Sequence, residues 1–382
     1  MSVATPIVPL DLTASSVELT RMLCDIPSES GDEARIADAV EAALAHYPHL
    51  QVLRFGNTIA ARTTLGRARR VAIAGHLDTV PINGNVPTRF ETLSPEDAAA
   101  DVAGTIPGEY LWGRGTVDMK AGVAVQLKLA AELVNPVVDL TWLWYENEET
   151  SAELNGLGLL AAAHPELFEA DFAILGEPTM AQVEGGCNGS IRAEIYTHGR
   201  RAHSARAWAG VNAIHAAAPI LARLAAHEPA TVSVEGLDYR EGLNAVGIRG
   251  GVAGNVIPDE CAVHVNYRFA PDKPLEEAEA QLRAWFDGFE IDILDRSGAA
   301  RPGLDAPLAQ EFLRAVGGVA KPKYGWTDVA RFSALGIPAV NYGPGDPQKA
   351  HADDERVRLD EITAVERGLR DWLTGEDAGA TA

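Results

Sequence analysis

Short apolar runs that end, one after another, in a histidine or a carboxylate constrain this chain more than any other feature. Val71-Ala72-Ile73-Ala74 runs into Gly75-His76-Leu77-Asp78-Thr79-Val80-Pro81. Its length and the breakers around it are those of a buried strand. Asp139 to Tyr145 runs into Glu146-Asn147-Glu148-Glu149-Thr150, and Asp171 to Leu175 into Gly176-Glu177-Pro178-Thr179. Ile337 to Tyr342 leads into Gly343-Pro344-Gly345-Asp346, with His351 shortly after. In open α/β sheets ligands bind beyond the carboxyl ends of the strands. On a parallel sheet these endings therefore converge on one edge, where imidazoles and carboxylates together make a metal site with several ligands.

The local chemistry agrees. In extended backbone His76 and Asp78, two residues apart, project to one side. Asp78 can then hold the second ring N–H of a metal-binding His76. Asp118 stands directly before a helical run, Met119 to Val134, and as a good N-cap can cap the helix and ligate as well, having two oxygens. No cysteine takes part, so Zn, Co or Mn is expected rather than a thiolate-bound metal. Two histidines and several carboxylates exceed the needs of one tetrahedral Zn. The economical arrangement is two metals about 3.5 to 4 Å apart with one bridging carboxylate. A further carboxylate must move protons, and within Glu148-Glu149 one residue can ligate while the other faces the cavity.

The predicted fold is α/β: a mixed, mainly parallel sheet with helices on both faces, plus an inserted α+β domain. Helices are expected at Ser15 to Asp25, Glu33 to His46 and Leu359 to Leu373, and strands within Leu50 to Thr63. Residues 82–112, dotted with Pro and Gly, read as an irregular loop over the site's rim. From Val183 to Leu294 the pattern changes. Ile191 to Tyr196 and Ala262 to Arg268 alternate apolar and polar residues, as antiparallel strands with one wet face do. Gly210 to Leu224 and Leu275 to Phe286 read as amphipathic helices packed on that face. Residues 182–294 are thus expected to form an inserted lid or dimerisation domain, with 1–181 and 295–382 as the discontinuous metal-binding domain. Only the tail, Thr374 to Ala382, reads as low-complexity disorder.

Acidic residues outnumber basic ones 54 to 32, a net charge of −22. That balance excludes nucleic acid and anionic membranes as expected partners, and an anionic substrate would need a local cluster of arginines. Three unpaired cysteines, Cys24, Cys187 and Cys261, and a start without a secretory pattern fit a reducing cytoplasm. No glycine-rich phosphate loop follows a strand, which sets aside a nucleotide-dependent or redox enzyme.

His76-Leu77-Asp78-Thr79-Val80-Pro81, Gly115-Thr116-Val117-Asp118-Met119-Lys120-Ala121-Gly122, Glu148-Glu149, Gly176-Glu177-Pro178-Thr179 and His351 resemble, in that order, the motifs of the dinuclear M20 metallopeptidase family. The resemblance covers nearly the whole chain. Ala202 to Trp208 and Thr327 to Phe332, with Gly343 to His351, look most like the family's succinyl-diaminopimelate desuccinylases of actinobacterial type. The resemblance implies that Asp118 bridges two metals, with His76 and Glu177 on one and Glu149 and His351 on the other. Glu148 would be general base and then acid, with Asp78 behind His76. His203, by its own surroundings a surface residue beside Arg200 and Arg201, would come from the neighbouring subunit of a homodimer to stabilise an oxyanion.

The implied substrate is N-succinyl-LL-2,6-diaminopimelate, an anion whose carboxylates suit bidentate arginine. Arg268 matches a substrate-binding arginine of the family, with Ser190, Asn255 and Gly343 at matching positions. The chain departs from the family's better-known members at Cys187-Asn188, which replaces an arginine pair, and Arg206 is the candidate substitute cation. Acetylornithine deacetylase, aminoacylase and dipeptidase activities share the same metal and base motifs. A non-catalytic protein on this fold would have lost Glu148 or a ligand, and all are present.

Overall fold

A computed structural model describes residues 9–101 and 105–375. The chain forms two compact units. The first comprises Met1–Gly185, Gly303–Lys321 and Arg331–Ala382, and the second Gly186–Pro302 and Pro322–Ala330.

The first unit is built on one mixed sheet. Its strands run in the order Gln51–Phe55, Thr58–Arg62, Asp139–Tyr145, Arg70–His76, Phe172–Leu175, Ala339–Asn341, Glu184–Gly185 and the short edge segment at Lys321. The middle four are mutually parallel. Asp139–Tyr145 is buried along its whole length, which is why it reads as a continuous apolar run. Register then fixes the ends: His76 lies beside Tyr145, Ala74 beside Leu175, and Leu175 beside Asn341. The segments carrying Glu148, Asp78, Glu177 and His351 thus leave the same edge.

Helix Lys120–Glu132 is buried almost all round, between the sheet and helices Ser16–Cys24 and Leu359–Thr374. It approaches closely because glycines line the contact. A Cβ on Gly122 would stand 2.2 Å from the Gly176 carbonyl oxygen, and one on Gly75 would meet Met119 and Val123. Helices Ala34–Leu44 and Gly156–Ala163 lie against the strands of the Gln51–Arg62 hairpin and Asp139–Tyr145. Ser15 caps the first helix as its sequence predicts, accepting the Glu18 N–H.

The second unit has a four-stranded antiparallel sheet, ordered Gly242–Gly250, Glu260–Phe269, Gly189–His198, Glu290–Ser297. Its alternating apolar residues, among them Ile191, Ile195, Val263, Val265 and Tyr267, form a core with Ile220, Leu282 and Phe286 of the covering helices. Those helices are Ala213–Ala216, Ala218–Ala225 and Leu275–Trp285, so the single helix expected over Gly210 to Leu224 is two. Pro322–Ala330 joins this unit through local bonds: Lys323 accepts the Asn188 N–H at 3.3 Å, and Trp326 Nε1 donates to Gly298 at 3.0 Å.

The irregular loop expected over 82–112 is largely ordered structure. Strand Gly108–Trp112 pairs with Arg89–Leu93 on one side and Arg356–Arg358 on the other to form a three-stranded sheet. Helix Pro95–Ala100 between them starts with a capping box of Ser94 and Asp97. Its neighbours 102–104, and most of the tail expected to be disordered, lie outside the described residues.

Candidate metal centre

His76 ends its strand fully buried. Its Nε2 lies 3.1 Å from Asp118 Oδ1, and its Nδ1 2.9 Å from the Asp78 carbonyl oxygen and 3.5 Å from Asp78 Oδ1. Asp78 therefore orients the ring chiefly through its main chain. Its carboxylate does something else: Oδ1 accepts the Glu148 N–H and Oδ2 the Glu149 N–H, both at 3.0 Å, with the Ser30 hydroxyl on Oδ2 at 2.7 Å. One buried carboxylate thus hangs the acidic pair in place. Glu33, also buried, accepts the Asn147 N–H at 3.1 Å and holds the same turn from behind, where Asn147 has a φ of 59°.

Asp118 does not cap its helix. The helix begins at Lys120 with Met119 at the N-cap position, and both Asp118 oxygens are turned to imidazoles. His351 Nε2 lies 3.3 Å from Asp118 Oδ2 and 2.8 Å from Glu149 Oε1. His76, Asp118 and Glu177 each offer a ligand atom within 4.8 Å of the others, as do Asp118, Glu149 and His351, and likewise His76, Glu148 and Glu149. Two imidazoles and four carboxylates in three overlapping triads exceed one ion's coordination, and the all-N/O donor set suits a borderline divalent metal. By its chemistry the cluster fits two cations, and Asp118 belongs to two of the three triads.

The electrostatics point the same way. Hydrogen bonds to Asp118 and Glu149 push the His351 imidazole up to about 10. Burial would lower His76, but Asp118 and Asp78 outweigh it and hold the ring well above its ordinary value. Burial would raise Asp118, and His351 with His76 overcome it and keep the carboxyl low. Held as imidazolium, the two histidines supply the positive charge that these carboxylates require.

Gly343 lies against the Glu177 segment. A Cβ there would stand 2.2 Å from the Gly176 oxygen and 2.5 Å from that of Glu177. Its N–H donates to the Thr179 hydroxyl oxygen and its carbonyl accepts the Ala181 N–H at 3.0 Å. Both polar groups are thus engaged in shaping the turn that carries Glu177.

The remaining residues singled out by sequence stand on the second unit. Arg268 faces Ser190 across paired strands. Burial and the nearby Arg192 pull its guanidinium below its ordinary value. Its Nε donates to Asn266 at 3.1 Å, and among the described residues no carboxylate pairs with it. A part-buried arginine without a counter-ion is suited to an anion. His203 is exposed and accepts the Ala205 N–H on Nδ1 at 3.0 Å, so the neutral ring carries its proton on Nε2. Asn255 accepts the Ser204 N–H through its carbonyl, and Arg206 is exposed.

Residues 72–374 carry the signature of the Peptidase family M20/M25/M40. The chain belongs to that family. It is 45% identical over 376 residues to the succinyl-diaminopimelate desuccinylase of Corynebacterium glutamicum, covering 96% of this chain and 98% of that protein. It is 50% identical over 369 residues to a Mycobacterium tuberculosis (H37Rv) protein named for the same activity, DapE, covering 96% and 100%. Among solved folds, a tripeptidase of Staphylococcus aureus matches with a TM-score of 0.72 at 19% identity, over 96% of this chain and 98% of that one. The Bacillus subtilis YXEP protein, described as a dinuclear metal binding peptidase of the M20 family, matches with 0.66 at 16% identity, over 94% and 96%. The M20 fold thus accounts for the parallel core and the separate antiparallel unit. Among the described residues no helix is long and apolar enough to cross a membrane.

Sequence reasoning passed over three positions that matter to this site. Arg114, just before the Asp118 motif, and Glu355, four residues after His351, form a buried pair at 2.8 Å. Their closeness in sequence to the ligands was the available signal. Glu33 carried none.

Proposed function

We propose that this chain hydrolyses N-succinyl-LL-2,6-diaminopimelate to succinate and LL-2,6-diaminopimelate, in the cytoplasmic synthesis of lysine and meso-diaminopimelate. The single observation that carries the substrate is near-full-length identity of 45% to the Corynebacterium glutamicum desuccinylase. The local geometry supports the chemistry.

Asp118 is assigned the bridge between two divalent cations, most readily Zn2+, with Co2+ or Mn2+ able to serve. His76 and Glu177 are assigned to one and Glu149 and His351 to the other. Such a pair, when bound, lowers the pKa of water and polarises the scissile carbonyl. The protein's own share of the work is proton movement and orientation. Glu148 accepts the water's proton on its carboxylate and delivers it to the departing amine nitrogen, so the amine leaves neutral. Asp78, bonded to both the Glu148 and Glu149 N–H groups, keeps base and ligand in step. His203 is assigned to the developing oxyanion, with its Nε2–H as the donor.

Arg268, with Ser190 and Asn255, is assigned to the substrate's carboxylates, and Arg206 to the charge that Cys187-Asn188 cannot supply; Gly343, whose N–H is already given to Thr179, is left with shaping the Glu177 turn. A homodimer is part of this reading. Strand Gly242–Gly250 is an edge strand with Val246 59% and Ile248 53% exposed, whereas the opposite edge, Glu290–Ser297, carries Asp292, Asp295 and Arg296. The one charge on Gly242–Gly250, Arg249, is paired with Glu194 on the same sheet, and an edge strand with exposed apolar residues is one that pairs with another chain.

The test is turnover of N-succinyl-LL-2,6-diaminopimelate by metal-loaded protein beside N-acetylornithine and a dipeptide. The reading expects the succinyl substrate to be preferred by orders of magnitude, and Glu148→Gln to keep its metals while losing about 10²–10⁴-fold or more in kcat. Preference for the acetyl substrate would replace the desuccinylase assignment with a deacetylase one.

A further inference from the structure

Arg114 and Glu355 are 4% and 1% exposed, yet neither offers a ligand atom to the cluster. Their hydrogen bonds go instead to the backbone on either side of the ligands. Glu355 Oε1 accepts the Val117 N–H at 2.9 Å and the Asp118 N–H at 3.1 Å. Its Oε2 takes Arg114 Nη1 at 2.8 Å, and its carbonyl accepts the Gly113 N–H at 2.9 Å. Arg114 Nε donates to Pro81 at 3.2 Å and Nη1 to Ala352 at 3.3 Å. The pair therefore ties together three separate stretches, one just past Asp78, one ending on Asp118, and one following His351.

We propose that the Arg114–Glu355 pair is a positioning device that sets the Asp118 backbone and the His351 segment so that one carboxylate serves both metal sites. Asp118 directs one oxygen to His76 and the other to His351. Such a bridge has little tolerance, because turning the Asp118 backbone brings one oxygen closer to its partner and takes the other away. Glu355 grips the Asp118 N–H directly, and Arg114 couples that grip to the residue after His351. A buried ion pair is poor evidence of stabilisation, since apolar side chains of similar volume often do as well. What apolar replacements could not do is accept two adjacent N–H groups while donating to two distant carbonyls. Groups just behind metal ligands typically affect metal affinity 10–100-fold.

The inference rests on the dinuclear reading above, and the experiment separates the two. Metal-free full-length protein is titrated with Co2+, followed by its visible absorption and by calorimetry, for the wild type, Glu355→Gln and Arg114→Lys. Glutamine keeps one oxygen for the Val117 and Asp118 N–H groups but turns an amide N–H2 toward Arg114. Expected for Glu355→Gln is an unchanged circular dichroism spectrum, a second Co2+ bound 10–100-fold more weakly, altered cobalt bands, a lowered kcat and a KM within about twofold. Arg114→Lys keeps the charge but loses the contact to Pro81, and should fall between. Two wild-type cobalt sites with unchanged bands in Glu355→Gln would overturn the proposal. So would an unfolded Glu355→Gln beside an Arg114→Lys that binds cobalt as the wild type does, because the pair would then serve folding alone. A wild type that binds no cobalt would overturn the dinuclear reading itself.

Discussion

Replacing Asp78 by asparagine removes the carboxylate on which the acidic turn hangs. In the native protein its two oxygens receive the N–H groups of Glu148 and Glu149 and the Ser30 hydroxyl. The amide has one oxygen, so in either orientation its N–H2 faces one of the two backbone N–H groups. One buried donor is orphaned, and the surviving bond loses its charge assistance. A hydrogen bond to a charged group is worth about 1.5–3 kcal/mol, and weakening the second adds about 1 kcal/mol. The expected loss is therefore about 2.5–4 kcal/mol, or a fall in Tm of about 5 °C or more for a unit of this size. Metal affinity should fall about 10–100-fold, because Glu149 loses the carboxylate that holds its N–H. The pH dependence supplies a sign. Burial would raise the Asp78 carboxyl, but His76 and the two N–H groups lower it. Its stabilising contribution is thus complete above the unfolded value of about 4 and disappears as pH falls through the lower native value. Thermal melts of metal-free wild type and Asp78→Asn at pH 7 should differ widely, and the gap should close in strong acid. Equal melts at pH 7 with equal metal affinity would refute this role for Asp78.

Further expectations follow from the same geometry. Gly122→Ala places a Cβ 2.2 Å from the Gly176 oxygen, so overpacking should cost about 1–3 kcal/mol and, through the adjoining Glu177, lower kcat as well. Because His76 and His351 are both held above their ordinary values, metal uptake at pH 7 should release protons. Calorimetry in buffers of different ionisation heat should register close to two per chain, and apparent affinity should rise with pH. The folding contribution of protonated His351 to the metal-free chain should be complete below pH about 6.5 and fade as pH rises toward 10. Val246→Lys with Ile248→Glu should turn the proposed dimer into a monomer in sedimentation while leaving the fold intact.

Much of the fold could be read from sequence because a buried parallel strand has to be apolar throughout. Asp139–Tyr145 and Arg70–His76 are such runs, and parallel pairing sends their carboxyl ends to one edge. That rule alone brought His76, Glu148, Glu149 and Glu177 together. It could not order residues 82–112, whose strands are completed by Arg356–Arg358 from far along the chain. A local pattern carries no trace of such a partner. Nor could it tell capping from ligation at Asp118, since the same carboxylate suits either and only the approach of two imidazoles decides. Arg114, Glu355 and Glu33 were missed because a charged residue normally faces water, and their burial follows from the assembled loops.

The central claim is that Asp118 stands between two cations held by His76, Glu177, Glu149 and His351. Anomalous diffraction at the zinc edge from crystals of metal-loaded protein measures it directly. Two peaks about 3.5–4 Å apart are expected, one on each side of the Asp118 carboxylate. A single peak, or two that both lie away from Asp118, would contradict it.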